Sequence, residues 1–132
     1  MPLDRVNAAI GGGMREVPAE LRPSPDCYIV STESTPSVSY MFVAGVLKRI
    51  DVRQAGIRSD HGIAVGDPVA KVWRAYGRSV RAETDAYDPR EQYLTVPSRD
   101  GRFGIRYETA NGKIKSYYGG AWEQVQYTEG CL

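Results

Sequence analysis

Sliding the opening stretch "MPLDRVNAAIG" forward by 66 positions lays it on "DPVAKVWRAYG" and superposes Pro2 on Pro68, Val6 on Val72, Ala9 on Ala75 and Gly11 on Gly77. A period of that length is too long for a solenoid, so the self-match points to two copies of one small unit. Each copy opens with a proline, whose missing N–H costs nothing in a first helical turn, and closes with a glycine suited to a left-handed cap. Between them, Leu3, Val6 and Ile10 in one copy and Val69, Val72 and Tyr76 in the other recur at helical spacing. The spacing predicts helices over residues 2–10 and 68–76, with Asp67 as the N-cap of the second.

The match continues downstream with small changes of offset. "CYIV" (27–30) answers "QYLTV" (92–96), "VSYMFV" (38–43) answers "FGIRYE" (103–108), and "AGVLKRIDV" (44–52) answers "NGKIKSYYG" (111–119). Asp100-Gly101 and Asn111-Gly112 are hairpin dipeptides flanked by strand-forming residues. The reading is an α+β fold of two tandem helix-plus-antiparallel-strand repeats packed as one unit. Residues 1–52 form the first repeat, 53–66 a connector, and 67–132 the second repeat with a further strand at its end. That last strand is read from "EQVQYTEG" (123–130), where Val125 and Tyr127 alternate with polar residues.

Several functional classes are excluded or disfavoured. With 17 basic and 16 acidic residues the net charge is near zero, which suggests neither nucleic acid nor an anionic membrane surface as partner. The longest apolar run, "YMFVAGVL" (40–47), is strand-sized, far short of a bilayer span. The glycines of "GIAVGDPVAKV" lack the Gly-Lys-Ser/Thr ending of a phosphate loop, and those of "AIGGGM" (9–14) follow their helix instead of preceding it. No nucleotide and no other cofactor is expected. The single histidine, His61, stands next to Asp60 without an evident nucleophile, and adjacent residues on an extended segment point apart. The carboxylates of "ETDAYD" (Glu83, Asp85, Asp88) do not follow an EF-hand spacing, so they read as a solvated loop with no metal.

The glycine-capped helix "GIAVGDPVAKVWRAYG", the duplication and the antiparallel strands that follow resemble the tandem-repeat fold of the beta-lactamase inhibitory proteins and the related small outer-membrane lipoprotein A family. "YTEGCL" and "YLTV" resemble segments of exported bacterial proteins of that type. The resemblance covers nearly the whole chain and implies a non-enzymatic module that binds other proteins through sheet faces and loops. In the inhibitors each half carries its own disulfide, whereas here Cys27 and Cys131 fall in different halves.

The two cysteines lack a CxxC spacing, and an even count fits a structural disulfide made in an oxidising compartment. A Cys27–Cys131 bond is therefore expected, tying the end of the second half onto the first strand. It places the protein in the periplasm or outside the cell, with a signal segment preceding the sequence given.

Aromatic residues are unevenly spread, since ten of the thirteen lie from Trp73 onward. Tyr117 and Tyr118 are neighbours on a strand, so one is expected to face outward. Tyr87, Tyr93, Tyr117, Tyr118 and Trp122 are the candidate binding residues, because exposed Tyr and Trp give a large contact area at small entropic cost. Another protein, such as an envelope enzyme or toxin, is the expected partner. A carbohydrate or peptidoglycan fragment stacked on the same rings is the alternative.

Overall fold

The computed structural model describes residues 1–131 apart from 16, 23 and 25, with the backbone alone at Ala19. The fold is mixed but dominated by its sheet. Seven strands join one antiparallel sheet in the order β1-β2-β3-β7-β6-β5-β4, accompanied by three short α-helices. The strands are β1 (Cys27–Val30), β2 (Val38–Val43), β3 (Val46–Val52), β4 (Arg81–Thr84), β5 (Gln92–Pro97), β6 (Phe103–Ala110) and β7 (Lys113–Ala121). The helices are α1 (Leu3–Ala9), α2 (Val69–Tyr76) and α3 (Trp122–Val125).

The two expected helices stand where their spacing put them, and their entries share one wiring. Pro2 bridges Val46 and Pro68 bridges Lys113, while Leu47 N–H donates to Met1 O (2.7 Å) and Ile114 N–H to Asp67 O (2.8 Å). Each helix start is thus laced onto a strand just after a hairpin. Those hairpins turn through Ala44-Gly45 (φ 51° and 76°) and Asn111-Gly112 (φ 51° and 79°), the left-handed pairs that match the twist of the flanking strands.

Four expectations need correction. Asp67 does not cap α2: Pro68 occupies the N-cap without a side-chain bond, and Asp67 Oδ2 instead accepts from Ala64 N–H and Lys71 Nζ, each at 2.9 Å. Ile10 lies outside α1 and is partly exposed, because the helix ends at Ala9. The second half has an additional strand, β4, whose four residues "RAET" are all exposed; an edge strand open on both faces shows no apolar alternation to read. Residues 123–130 do not form a strand. They begin with α3, which turns the chain back across the sheet.

That return covers the second face of the sheet. On the first face, α1 and α2 pack on Tyr28, Phe42, Val52, Leu94, Tyr107, Ile114 and Tyr117, and Tyr40 joins the two clusters. On the other, the segment 122–131 lies over Arg49, Arg106 and Tyr118, which are 4%, 2% and 1% exposed. The same segment reaches both edges of the sheet. Cys131 is bonded to Cys27 of β1, with Cα atoms 5.7 Å apart, and Glu129 meets Tyr87 in the loop after β4. The sheet therefore curls around the segment. No helix among the described residues is long and apolar enough to cross a membrane.

Candidate functional site

The candidate residues fall into three environments. Tyr117 and Tyr118 are both buried, at 5% and 1% exposure. Alternation does send them to opposite faces, but each face is covered at that point, one by α2 and one by the segment 122–131, so neither faces solvent. Tyr93 is also buried, beneath the Arg106 guanidinium 4.8 Å from its ring centre. Trp122 is half-buried, packed against Gly104 and under Arg81, whose guanidinium carbon lies 5.5 Å from its ring. Of the five, Tyr87 alone is exposed, at 66%.

Tyr87 stands on a loop held by its own side chains. Asp85, buried, accepts at Oδ1 from Tyr87 N–H (2.8 Å), Asp88 N–H (3.3 Å) and the Tyr93 hydroxyl (3.3 Å). Tyr93 Oη in turn accepts from Ala86 N–H at 3.0 Å. Asp85 N–H and Glu91 N–H close the loop onto Glu91 O and Asp88 O, both at 3.0 Å. Glu91 then anchors the far end, accepting from Thr109 Oγ1 (2.8 Å) and Asn111 N–H (3.0 Å). The Arg90 guanidinium and N–H on Asp88 hold that carboxyl below its ordinary pKa. The Tyr87 hydroxyl donates to Glu129 Oε1 at 2.6 Å, and that bond to a carboxylate raises its pKa. Signals for this arrangement were present in the sequence as "TDAYDPRE", whose Asp residues form turns by accepting from N–H groups two or three positions on. The loop carboxylates are occupied internally, and no three His, Cys, Asp or Glu among the described residues converge on a metal position.

Next to the loop runs the outer edge of β4. Arg81, Ala82, Glu83 and Thr84 pair with Thr95, Leu94, Tyr93 and Gln92 on one side, and no strand among the described residues pairs on the other. Its backbone groups offer a template for a further strand.

A third cluster, unforeseen in the sequence, joins the connector to the sheet. Tyr107, fully buried, shares hydrogen bonds with Ser59 Oγ (2.7 Å) and Tyr76 Oη (3.3 Å), and Tyr76 Oη also donates to Asp60 O (3.1 Å). Tyr117 Oη donates to Ile57 O at 2.8 Å. Burial, then the bond to Tyr107, pushes the Tyr76 phenol far above its ordinary range, and burial raises Tyr107 and Tyr117 too. These hydroxyls are fixed as neutral donors and acceptors. His61 sits at φ 62° over the Tyr76 ring, with Nδ1 3.1 Å from Asp60 Oδ2, so the two neighbours do meet. The turn, not an extended segment, brings them together. Ser59 Oγ, next along the chain, is engaged by Tyr107 and donates to Asp60 O at 3.0 Å.

A depression of about 1000 Å³, open to solvent, lies where Gly11, Gly12 and Gly13 run past Thr32; one charge of each sign, Arg15 and Glu33, stands on its wall. Comparison with known proteins finds no family model, no curated protein and no solved structure that matches this chain.

Proposed function

We propose that the chain is a non-enzymatic protein-binding module of the bacterial cell envelope, of the inhibitor, immunity or assembly-accessory kind, and that it engages its partner along β4 and the loop 85–91. The observation that carries this reading is the pairing of a fully exposed sheet edge with a pre-organised loop that projects Tyr87. A rigid loop loses little conformational freedom on binding, and an exposed tyrosine on it is a favourable anchor. The Cys27–Cys131 bond supports a periplasmic or secreted location. The two matching helix entries and hairpins support a duplicated unit, with α1 and β1 to β3 answering α2 and β5 to β7, as the resemblance to the inhibitory proteins implies. Stacking of sugar rings on sheet aromatics finds less support, since Tyr93, Tyr117 and Tyr118 are buried.

The test is capture from envelope extract on immobilised protein, with the captured partner then titrated against single variants. Tyr87→Ala is expected to weaken binding by about tenfold or more, as for an interface anchor, and Glu83→Lys on β4 to weaken it as well. Affinity unchanged in both variants refutes the assignment of this surface.

A further inference from the structure

The outer edge of β4 carries a definite pattern of donors and acceptors. Asp85 N–H donates to Glu91 O just beyond the strand, and in an antiparallel ladder bonded and unbonded partners alternate. Glu83 and Arg81 therefore turn their backbone groups inward to Tyr93 and Thr95, and Ala82 and Thr84 turn theirs outward. Gln92, opposite Thr84, agrees with this, since its N–H donates away from β4 to Thr109 Oγ1 of β6. Val80 continues the strand in extended conformation (φ −74°, ψ 128°), with its N–H taken by Gly77 O at 3.2 Å. The edge thus offers the N–H and C=O of Ala82 and Thr84 and, by the same alternation, the C=O of Val80.

The side chains make this edge complementary to itself. Arg81 and Glu83 project to one face, that of their register partners Thr95 and Tyr93. Arg81 lies over the Trp122 ring and meets no carboxylate among the described residues. Glu83 is 60% exposed, with Arg106 Nη2 3.8 Å away. A second copy running antiparallel must set outward residues against outward residues, which leaves few registers. Ala82 against Thr84 puts the two Glu83 side chains face to face; Thr84 against Thr84 puts Glu83 opposite Asp85; Val80 against Ala82 puts the two Arg81 together. Like charges directly opposite are destabilising. Ala82 against Ala82 instead sets Arg81 opposite Glu83 twice, at non-hydrogen-bonded positions, where side chains come closest.

We propose that the β4 edge is a self-pairing site, at which two copies of this chain join antiparallel about a two-fold axis at Ala82 and merge their seven-stranded sheets into one. Each Ala82 exchanges N–H and C=O bonds with its counterpart, and each Thr84 N–H donates to Val80 O of the other copy. The opposite edge of the sheet is less free: in β1 the Cys27 N–H is taken by Ser24 O, and the Cys27 side chain is tied to Cys131. Self-pairing covers the edge that the proposed partner uses, so a second copy competes with that partner and holds the edge in its absence. The inference rests on the protein-binding reading only in taking β4 as an open template.

The test is sedimentation equilibrium of the purified full chain at concentrations rising to about 1 mM, the range of weak transient interfaces. The wild type is expected to pass from monomer to dimer, and the Ala82 and Thr84 amides to gain protection from exchange as it does. Arg81→Glu and Glu83→Arg, each alone, set like charges opposite at both positions and are expected to weaken pairing by about tenfold or more. An equimolar mixture of the two variants is expected to restore it, because a chain with two acidic residues at 81 and 83 then faces one with two basic residues. Restoration also shows that neither variant has lost its fold. A wild type that stays monomeric throughout overturns the proposal. So does a dimer that both reversals leave unchanged, or one that mixing fails to restore. The two readings fail separately: a monomeric chain can still capture a partner through Tyr87 and β4, and pairing of the purified chain needs no partner.

Discussion

Tyr118→Phe is expected to leave the protein as stable as before or to stabilise it, against the usual sense of a buried truncation. The ring fills the same volume, so no cavity follows and the packing under Arg49 is kept. What is lost is a hydroxyl that is 1% exposed in residue terms and makes no hydrogen bond. Burial pushes this phenol up, and the neighbouring Glu108 carboxylate raises it further, so it stays a neutral group. An unsatisfied buried polar group costs about 1–3 kcal/mol, and its removal recovers some of that. The control is Tyr107→Phe, equally buried, whose hydroxyl shares bonds with Ser59 and Tyr76. The three hydroxyls have three protons to donate, and without Tyr107 both Ser59 and Tyr76 still donate to Asp60 O, so the net loss is one bond, about 1 kcal/mol. For a domain of this length 1 kcal/mol moves Tm by about 3–5 °C. Scanning calorimetry of the two variants beside the wild type should place Tyr118→Phe level or above and Tyr107→Phe well below. A Tyr118→Phe variant that melts as low as Tyr107→Phe refutes the reasoning and means that the Tyr118 hydroxyl is satisfied.

Closing a loop between cysteines 104 positions apart removes about 4–5 kcal/mol of unfolded-state entropy on the chain-entropy argument, so reduction should lower Tm by more than about 10 °C without abolishing folding. Asp100, held down to a pKa of about 2 by Ser98 and then by Arg102, should show a carbon-13 titration midpoint near that value. Because its folded pKa is depressed, its stabilising share is present above about pH 4 and fades as pH falls toward 2. Gly104→Ala puts a methyl group 2.9 Å from two Trp122 ring atoms and 3.1 Å from Val96 O. It should destabilise by about 1–3 kcal/mol and shift the tryptophan fluorescence.

The sequence by itself determined what depends on near neighbours along the chain. Helices at 3–9 and 69–76 follow from proline, apolar spacing and glycine, and the Ala44-Gly45 and Asn111-Gly112 hairpins from the left-handed conformation that their turns require. Six of the strands lie where β-forming residues run between such turns, and the Cys27–Cys131 bond follows from a count of two. The tertiary structure decided which face of each strand is dry. Tyr117 and Tyr118 look alike in sequence, as one inward and one outward residue, yet both are buried because the segment 122–131 folds back over the second face. That return depends on Arg49 donating to carbonyls 75 and 78 positions away, which no local pattern encodes. Nor does the string "RAET" announce an edge strand, since exposure on both faces removes the alternation by which strands are read, and only the register with Thr95, Leu94, Tyr93 and Gln92 makes it one. Burial is a property of what comes to lie on top of a residue, and here the covering chain is distant in sequence.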